Sequence, residues 1–394
     1  TMGKGISFME NLAKYHGSPL DRESLAKAME ELGVEDEFDK WKALRENPVS
    51  TNTIQPFIAP NVEIKAGDAI LYEAGTMLDN RSAYGNALQS LAEANNSDDN
   101  MKITGISCDL EGSVKMGGFR KHSPKAFIEA GIQEHHAATM AGGLSSLGLV
   151  TFFSTFGAFA VSEVYNQNRL NDFNHASVKV VATHVGLDVG EDGPTHQCID
   201  YLGLFQNYFR SSVFMPADPN QTDRIIRYIA TEPGNVFVGM GRSKTPVITK
   251  EDGSAFFDTD YTFQAGVGDW LREGSDATII TYGAVAPAVM EAWELLKKDG
   301  HSVAVLNMGS LIPVDKEAIL KAADCGVVLT VEDHHVNTGL GSIVGTVLAE
   351  AGKSINFKRS GVEHYGGSGK PADLYASQGL DGKSIAAKVK GMLG

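Results

Sequence analysis

The chain has 394 residues, more than one hydrophobic core ordinarily serves, so two or three domains are expected. Its composition, 42% hydrophobic and 21% charged, is that of a soluble globular protein. The 34 basic and 49 acidic residues give a formal charge of -15, which argues against nucleic acid or an anionic membrane as a partner. No apolar run approaches the ~18 residues of a membrane span. The opening TMGKGISFMENLAKYHG lacks the apolar core of a secretory signal. Cys108, Cys198 and Cys325 are far apart and odd in number, which fits a reducing, cytoplasmic compartment and excludes a disulfide scaffold.

GKGISFMEN reads as a strand, followed by the polar loop YHGSPLDRES and a helix from about Asp21 to Leu32, capped by Asp21 or Ser24. VEDEFDKWKALREN predicts a solvated helix whose apolar stripe is Phe38, Trp41 and Leu44. The proline-rich NPVSTNTIQPFIAPNVEIKAG reads as a linker. A regular alternation then begins. Helices are predicted over Arg81 to Ala92, Glu134 to Ser146, Val161 to Leu170 and Gln221 to Thr231. Strands are predicted over Met101 to Cys108, Leu149 to Phe153, Val178 to Thr183, Ser212 to Met215 and Asn235 to Gly239. A second alternation follows: strand ATIITYG, helix AVAPAVMEAWELLKKDG, strand SVAVLNM, helix LIPVDKEAILKAA, strand GVVLTVED, then helices from Leu340 and from Ser384. Strands alternating with helices imply an α/β chain of two domains with mostly parallel sheets, over 66–250 and 251–394, preceded by a segment over 1–65.

Ligands of open parallel sheets sit beyond the strands' carboxyl ends. HVGLDVGEDGPTHQ directly follows VKVVAT and puts His184, Asp192 and His196 in one glycine-rich loop, residue types suited to proton transfer and hydroxyl binding. A turn whose histidines merely bond backbone is an equally good account of the loop alone. Glu134 opens a helix of small residues, AATMAGGLSS, that could lie against a flat ligand; taken alone, it is more simply an acid favoured by the helix dipole. Phe156 and Phe159 in STFGAFAV could share a helical face and stack on a heteroaromatic ring, although such pairs are usually core. Arg81, Arg242 in GMGRSKTP, and Ser113 could together clamp a phosphate. In VEDHHVNTGLGS, Glu332 to His335 could conceivably bind a metal, but a solvated loop at a strand end is the better expectation.

In this order, KGISFMEN, HGSPL, the Arg81 helix, CDLEGS, GIQE, STF, GEDGPTHQ, MPADP and GRSKTP resemble the transketolases, thiamine-diphosphate enzymes, over nearly the whole chain. The resemblance implies the pyrimidine-binding and C-terminal domains, with 1–65 as the tail of the diphosphate-binding domain plus a linker. The family's Gly-Asp-Gly motif, which with a later Asn binds Mg2+ or Ca2+, does not occur in the chain, so no metal ligand is assigned here. Either Thr1 is a cut or processed start, or another polypeptide supplies that domain. The resemblance also implies a homodimer or such a two-polypeptide assembly, and sugar phosphates as substrates.

Carried over residue by residue, Glu134 would hydrogen-bond the cofactor's aminopyrimidine and favour its imino tautomer. Phe156 and Phe159 would stack on that ring, with Ser162 where the family usually has a third aromatic. Asp109 and Leu110 would lie beside the cofactor. Asp192 would bind a sugar hydroxyl, His196 would contact the reacting oxygen, and His16 would stand near the same carbon. Arg81, Ser113, His184 and Arg242 would hold the phosphate. The implied reaction moves a two-carbon ketol unit from a ketose phosphate to an aldose phosphate. The rivals are 1-deoxyxylulose-5-phosphate synthase, the beta subunit of 2-oxoacid dehydrogenases, and a non-catalytic dimerising fragment.

Overall fold

The computed structural model describes residues 3–46 and 62–394, and divides the chain into two units, 1–56 and 57–394. In the N-terminal unit the predicted opening strand is absent: residues 3–11 form successive turns, with Gly3 and Gly5 at positive φ, which breaks extended pairing. Ser7 donates through its backbone N–H (2.6 Å) and hydroxyl (2.7 Å) to Glu31, tying the turns to helix Arg22–Glu31. Asp21 caps that helix by accepting the Ser24 N–H, as its sequence position predicts. The second helix is Phe38–Glu46, and its stripe of Phe38, Trp41 and Leu44 is exposed. The expected linker lies mostly outside the described residues.

The larger unit holds two main sheets, besides a two-stranded antiparallel ribbon of Met77–Asp79 and Lys244–Pro246. The first runs Ser310–Ile312, Ser211–Phe214, Asn235–Gly239, Val178–Thr183, Val150–Phe156, Ile103–Ser107, Phe127–Glu129. All neighbours are parallel except the Ser310–Ile312 edge. The second runs Asn356–Val362, Val327–His335, Ala277–Thr281, Val303–Asn307, Asp269–Arg272, parallel except for its last strand. Val178–Thr183 and Ala277–Thr281 are buried along their whole length, as strands covered on both faces must be.

The predicted helix LIPVDKEAILKAA begins only at Lys316, because Asp315 caps it and residues before Pro313 pair with strand Ser211–Phe214 instead. The short strands Phe127–Glu129 and Asp269–Arg272, and helices Gly117–His122 and Pro371–Ser377, carry too few periodic residues to be read from sequence. The parallel register sets the position of the site. Thr183 pairs with Phe156, and Ser107 with Ser154, so the loops after three strands open on one side of the sheet.

Candidate active site

Glu134 is the first residue of helix Glu134–Ser146 and is only 4% exposed. Strand Val150–Phe156 presents Thr155 to it, and the Thr155 hydroxyl donates to Glu134 Oε1 over 3.2 Å. Cys108, at the end of the neighbouring strand, feels the same carboxylate; burial first, then Glu134, push its thiol up to about 12. That thiol stays protonated, so it adds no negative charge beside Glu134.

Phe156 ends its strand and Phe159 begins the turn Phe159–Glu163, so the pair does not share one helix as expected. The rings nevertheless lie parallel, 6.0 Å apart and 11° inclined. His184 packs 3.9 Å from the Phe156 ring, and His196 meets Phe159 edge-on at 5.3 Å. These four rings form one wall. Ser162, in the same turn, bonds back to the Ala158 carbonyl.

Asp109 and His184 follow strands Ile103–Ser107 and Val178–Thr183, and both have positive φ, 59° and 57°. Non-glycine residues adopt this conformation at a cost of order 1–3 kcal/mol and gather at functional sites. The Asp109 N–H donates to Glu129 at 2.5 Å, and the Leu110 N–H to Ser107 at 3.2 Å.

Arg81 joins the cationic group. Its guanidinium pairs with Asp79 at 3.2 Å, donates to the carbonyls of Ser113 (3.2 Å) and Arg242 (3.0 Å), and approaches His184 Nε2 at 3.5 Å. Ser113 thus enters through its backbone. Since Arg81 can only donate, His184 Nε2 is an acceptor, and Nδ1 faces the Thr183 hydroxyl at 2.9 Å. Burial, then the charges of Arg81 and Arg242, lower the His184 pKa to about 3, so the ring is neutral at physiological pH. Arg242 donates to the Val189 carbonyl at 2.9 Å and pairs with Glu191 at 3.3 Å and Asp192 at 4.0 Å. Thr195 Oγ1 lies 2.8 Å from His196 Nδ1 and orients that ring.

The larger unit therefore brings Arg81, Ser113, His184, Asp192, His196 and Arg242 together, with Phe156 and Phe159 alongside. Glu134 adjoins through Thr155. His16 lies exposed at the end of the 3-10 turn Ala13–His16 in the N-terminal unit. Thr155 and Asp79 went unnoticed in sequence; Asp79 could have been found as the cap of the Arg81 helix, since its side chain accepts the Ser82 N–H.

The Glu332–His335 expectation is overturned: these residues belong to strand Val327–His335, and Glu332, Asp333 and His334 are buried rather than solvated. Glu332 accepts the Leu340 and Gly341 N–H groups at 2.5 and 2.9 Å, capping the next helix. Among the described residues no group of three or more His, Cys, Asp or Glu could hold a metal, and no helix is long and apolar enough to cross a membrane. Cys198 is buried core, packed against Gly157, where a Cβ would come within 2.7 Å of its own.

Residues 76–247 match the transketolase pyrimidine binding domain and residues 266–385 the transketolase C-terminal domain. A protein of Methanocaldococcus jannaschii described as a transketolase C-terminal section is 36% identical over 78% of this chain and 94% of its own length. Human transketolase is 28% identical over 99% of this chain but only 60% of its own, so the present chain spans about three fifths of that enzyme. A split gene transketolase solved as an inactive beta4 tetramer superposes with a TM-score of 0.71 and 34% identity, covering 80% of this chain and 98% of that one. The family implies thiamine diphosphate. That cofactor's pyrimidine asks for a buried hydrogen-bonding acid beside an aromatic wall, and Glu134 with Phe156 and Phe159 fit that half. Through its pyrimidine-binding and C-terminal domains, the chain belongs to the transketolase family.

Proposed function

We propose that this chain is the pyrimidine-side section of a transketolase that moves a two-carbon ketol unit from a ketose phosphate to an aldose phosphate. The observation that carries the proposal is the buried Glu134 carboxyl, held by Thr155 next to Phe156, whose ring pairs with Phe159 and packs on the His184 that Arg81 approaches. The domain boundaries near 65 and 250 go with this reading. So does a second polypeptide, or a longer form of the chain, carrying the diphosphate-binding domain with its Mg2+ or Ca2+. The relatives' descriptions as a C-terminal section and a split gene product support that arrangement. Pairing of two such halves and a cytoplasmic location complete it.

Thiamine diphosphate, when bound, supplies the carbanion chemistry. The protein's share is binding, orientation and electrostatics. Glu134 would hold a hydrogen bond to the pyrimidine from a water-poor niche, where such a bond is stronger than in water. Phe156 and Phe159 would stack on the ring, and Asp109 and Leu110 would lie beside the cofactor. Asp192 binds a sugar hydroxyl, and His196, oriented by Thr195, holds or releases a proton at the reacting oxygen. Arg81 and Arg242 supply the local positive charge that an acidic chain must concentrate to take a phosphate. Neutral His184 adds a hydrogen bond there, and Ser113 closes that edge. The role of His16 rests on the resemblance alone.

Native mass spectrometry with added thiamine diphosphate and magnesium tests the reading. The expected outcome is an assembly of this chain with a diphosphate-domain polypeptide that retains the cofactor and transfers ketol units. A 42 kDa species with no partner and no cofactor under those conditions would favour a non-catalytic fragment.

A further inference from the structure

The loop that carries Asp192 and His196 is not held by its own sheet alone. It leaves strand Val178–Thr183, and the second sheet grips it at both ends. At the start, both oxygens of Asp333 accept the Leu187 N–H, at 2.9 and 3.1 Å, and the Tyr375 hydroxyl donates to the same carboxylate at 2.7 Å. At the return, the His335 N–H donates to the Ile199 carbonyl at 2.8 Å, and His334 Nε2 accepts the Leu202 N–H at 3.0 Å. A side chain at Gly186, whose φ is +77°, would overlap the Asp333 carboxylate. In between, the Gln197 side chain bonds the Gly366 N–H at 2.9 Å and the Gly367 carbonyl at 3.2 Å, and Ser368 bonds the Glu191 carbonyl. On the opposite side, the loop's own Asp188 accepts the Ser243 N–H at 2.8 Å and its hydroxyl, fastening the loop to the segment that bears Arg242.

We infer that Asp333 is a positioning residue: from the C-terminal sheet it fixes the backbone of 186–197, and thereby the placing of Asp192 and His196. This gives the C-terminal domain a task in the reaction through the loop it holds. The chemistry supports it. A carboxyl group 5% exposed would be costly without hydrogen bonds, and here one backbone N–H and one phenol donate to it. Those two donors come from the substrate loop and from helix Pro371–Ser377, so the acid links three segments that are far apart in sequence. The catalytic part of the inference rests on the reading of 186–197 as the substrate loop; the anchoring part does not.

The test uses the full chain with Asp333→Asn, Asp333→Ala and Tyr375→Phe, read by hydrogen exchange and, with the diphosphate-domain polypeptide present, by steady-state kinetics. Asp333→Ala is expected to speed exchange across 186–197 about tenfold or more, leaving strands Val178–Thr183 and Ala277–Thr281 unchanged, while Asp333→Asn, which keeps one acceptor, stays within about threefold of wild type. In kinetics Asp333→Ala should lower kcat/KM about 100-fold, and the Asp192→Ala, Asp333→Ala double variant should fall no more than about threefold below Asp192→Ala. Unchanged loop exchange, faster exchange spread evenly over both sheets, or losses that simply multiply would overturn the inference. If Asp333→Ala does not fold, the same comparison is made with Tyr375→Phe, which removes one donor to the acid and is expected to loosen the loop selectively, while Asp333→Asn stays near wild type. Full activity of Asp192→Ala would instead refute the assignment of the substrate loop, and the exchange data would still decide the anchor.

Discussion

The Thr155 hydroxyl and the Glu134 carboxylate meet at 3.2 Å, joining the end of a central strand to the start of a small-residue helix. Hydrogen bonds to charged groups contribute roughly 1.5–3 kcal/mol, so Thr155 is expected to hold the acid in one place. In the complete assembly, Glu134→Ala should lower kcat at least about 100-fold, the scale of a lost proton-handling group. Thr155→Val should give a smaller loss in kcat with little change in KM. Near-normal turnover of Glu134→Ala would remove the acid from the mechanism.

Arg242 spans the carbonyl of Val189 and the carboxylates of Glu191 and Asp192. An arriving phosphate would compete with those acids for the guanidinium. Arg242→Ala should therefore raise KM for phosphorylated sugars by about tenfold or more, the value of a charge-assisted contact. KM for unphosphorylated sugars should change little. Equal increases for both would dismiss the clamp.

His184 should not titrate between pH 5 and 8. Burial and the two neighbouring arginines lower its pKa to about 3, against an ordinary 6.5. The unfolded chain protonates this histidine below 6.5 while the folded one does not, so stability is lost as pH falls from 6.5 towards 3. His184→Gln should flatten the acid limb of a urea-midpoint profile over that window. An NMR signal for its imidazole that shifts near pH 6.5 would contradict the buried, neutral ring.

Glu332 carries the opposite sign. Burial raises its carboxyl to about 8, above an ordinary 4.5, so the folded state binds the proton more tightly than the unfolded one. Its contribution is most favourable below pH 4.5 and is lost as pH rises through 8. Glu332→Gln should weaken the pH dependence of the urea midpoint between pH 5 and 8, although it gives up one of the two cap acceptors. A variant profile parallel to that of wild type would show that this acid does not titrate in the window.

Local chemistry was legible in the sequence wherever it sufficed. The run VKVVAT is a buried strand over Val178–Thr183, and Glu134 to Ser146 is a helix with those same ends. The Gly186, Gly190 and Gly193 positions in the substrate loop all have positive φ, as a tight loop after a strand requires. GKGISFMEN misled because its alternation mimics a strand, while its two glycines take turn conformations. LIPVDKEAIL misled because Pro313 separates an edge strand from a helix capped by Asp315.

Sequence alone determined which residue types could do the chemistry and the loops on which they ride, since side-chain reactivity and backbone preference are local properties. Only the tertiary structure decided that Arg81 meets His184, that Thr155 reaches Glu134, and that Asp333 grips Leu187. Those partners are brought together by parallel strand register and by the packing of two sheets, and neither leaves a periodic mark near the residues it joins.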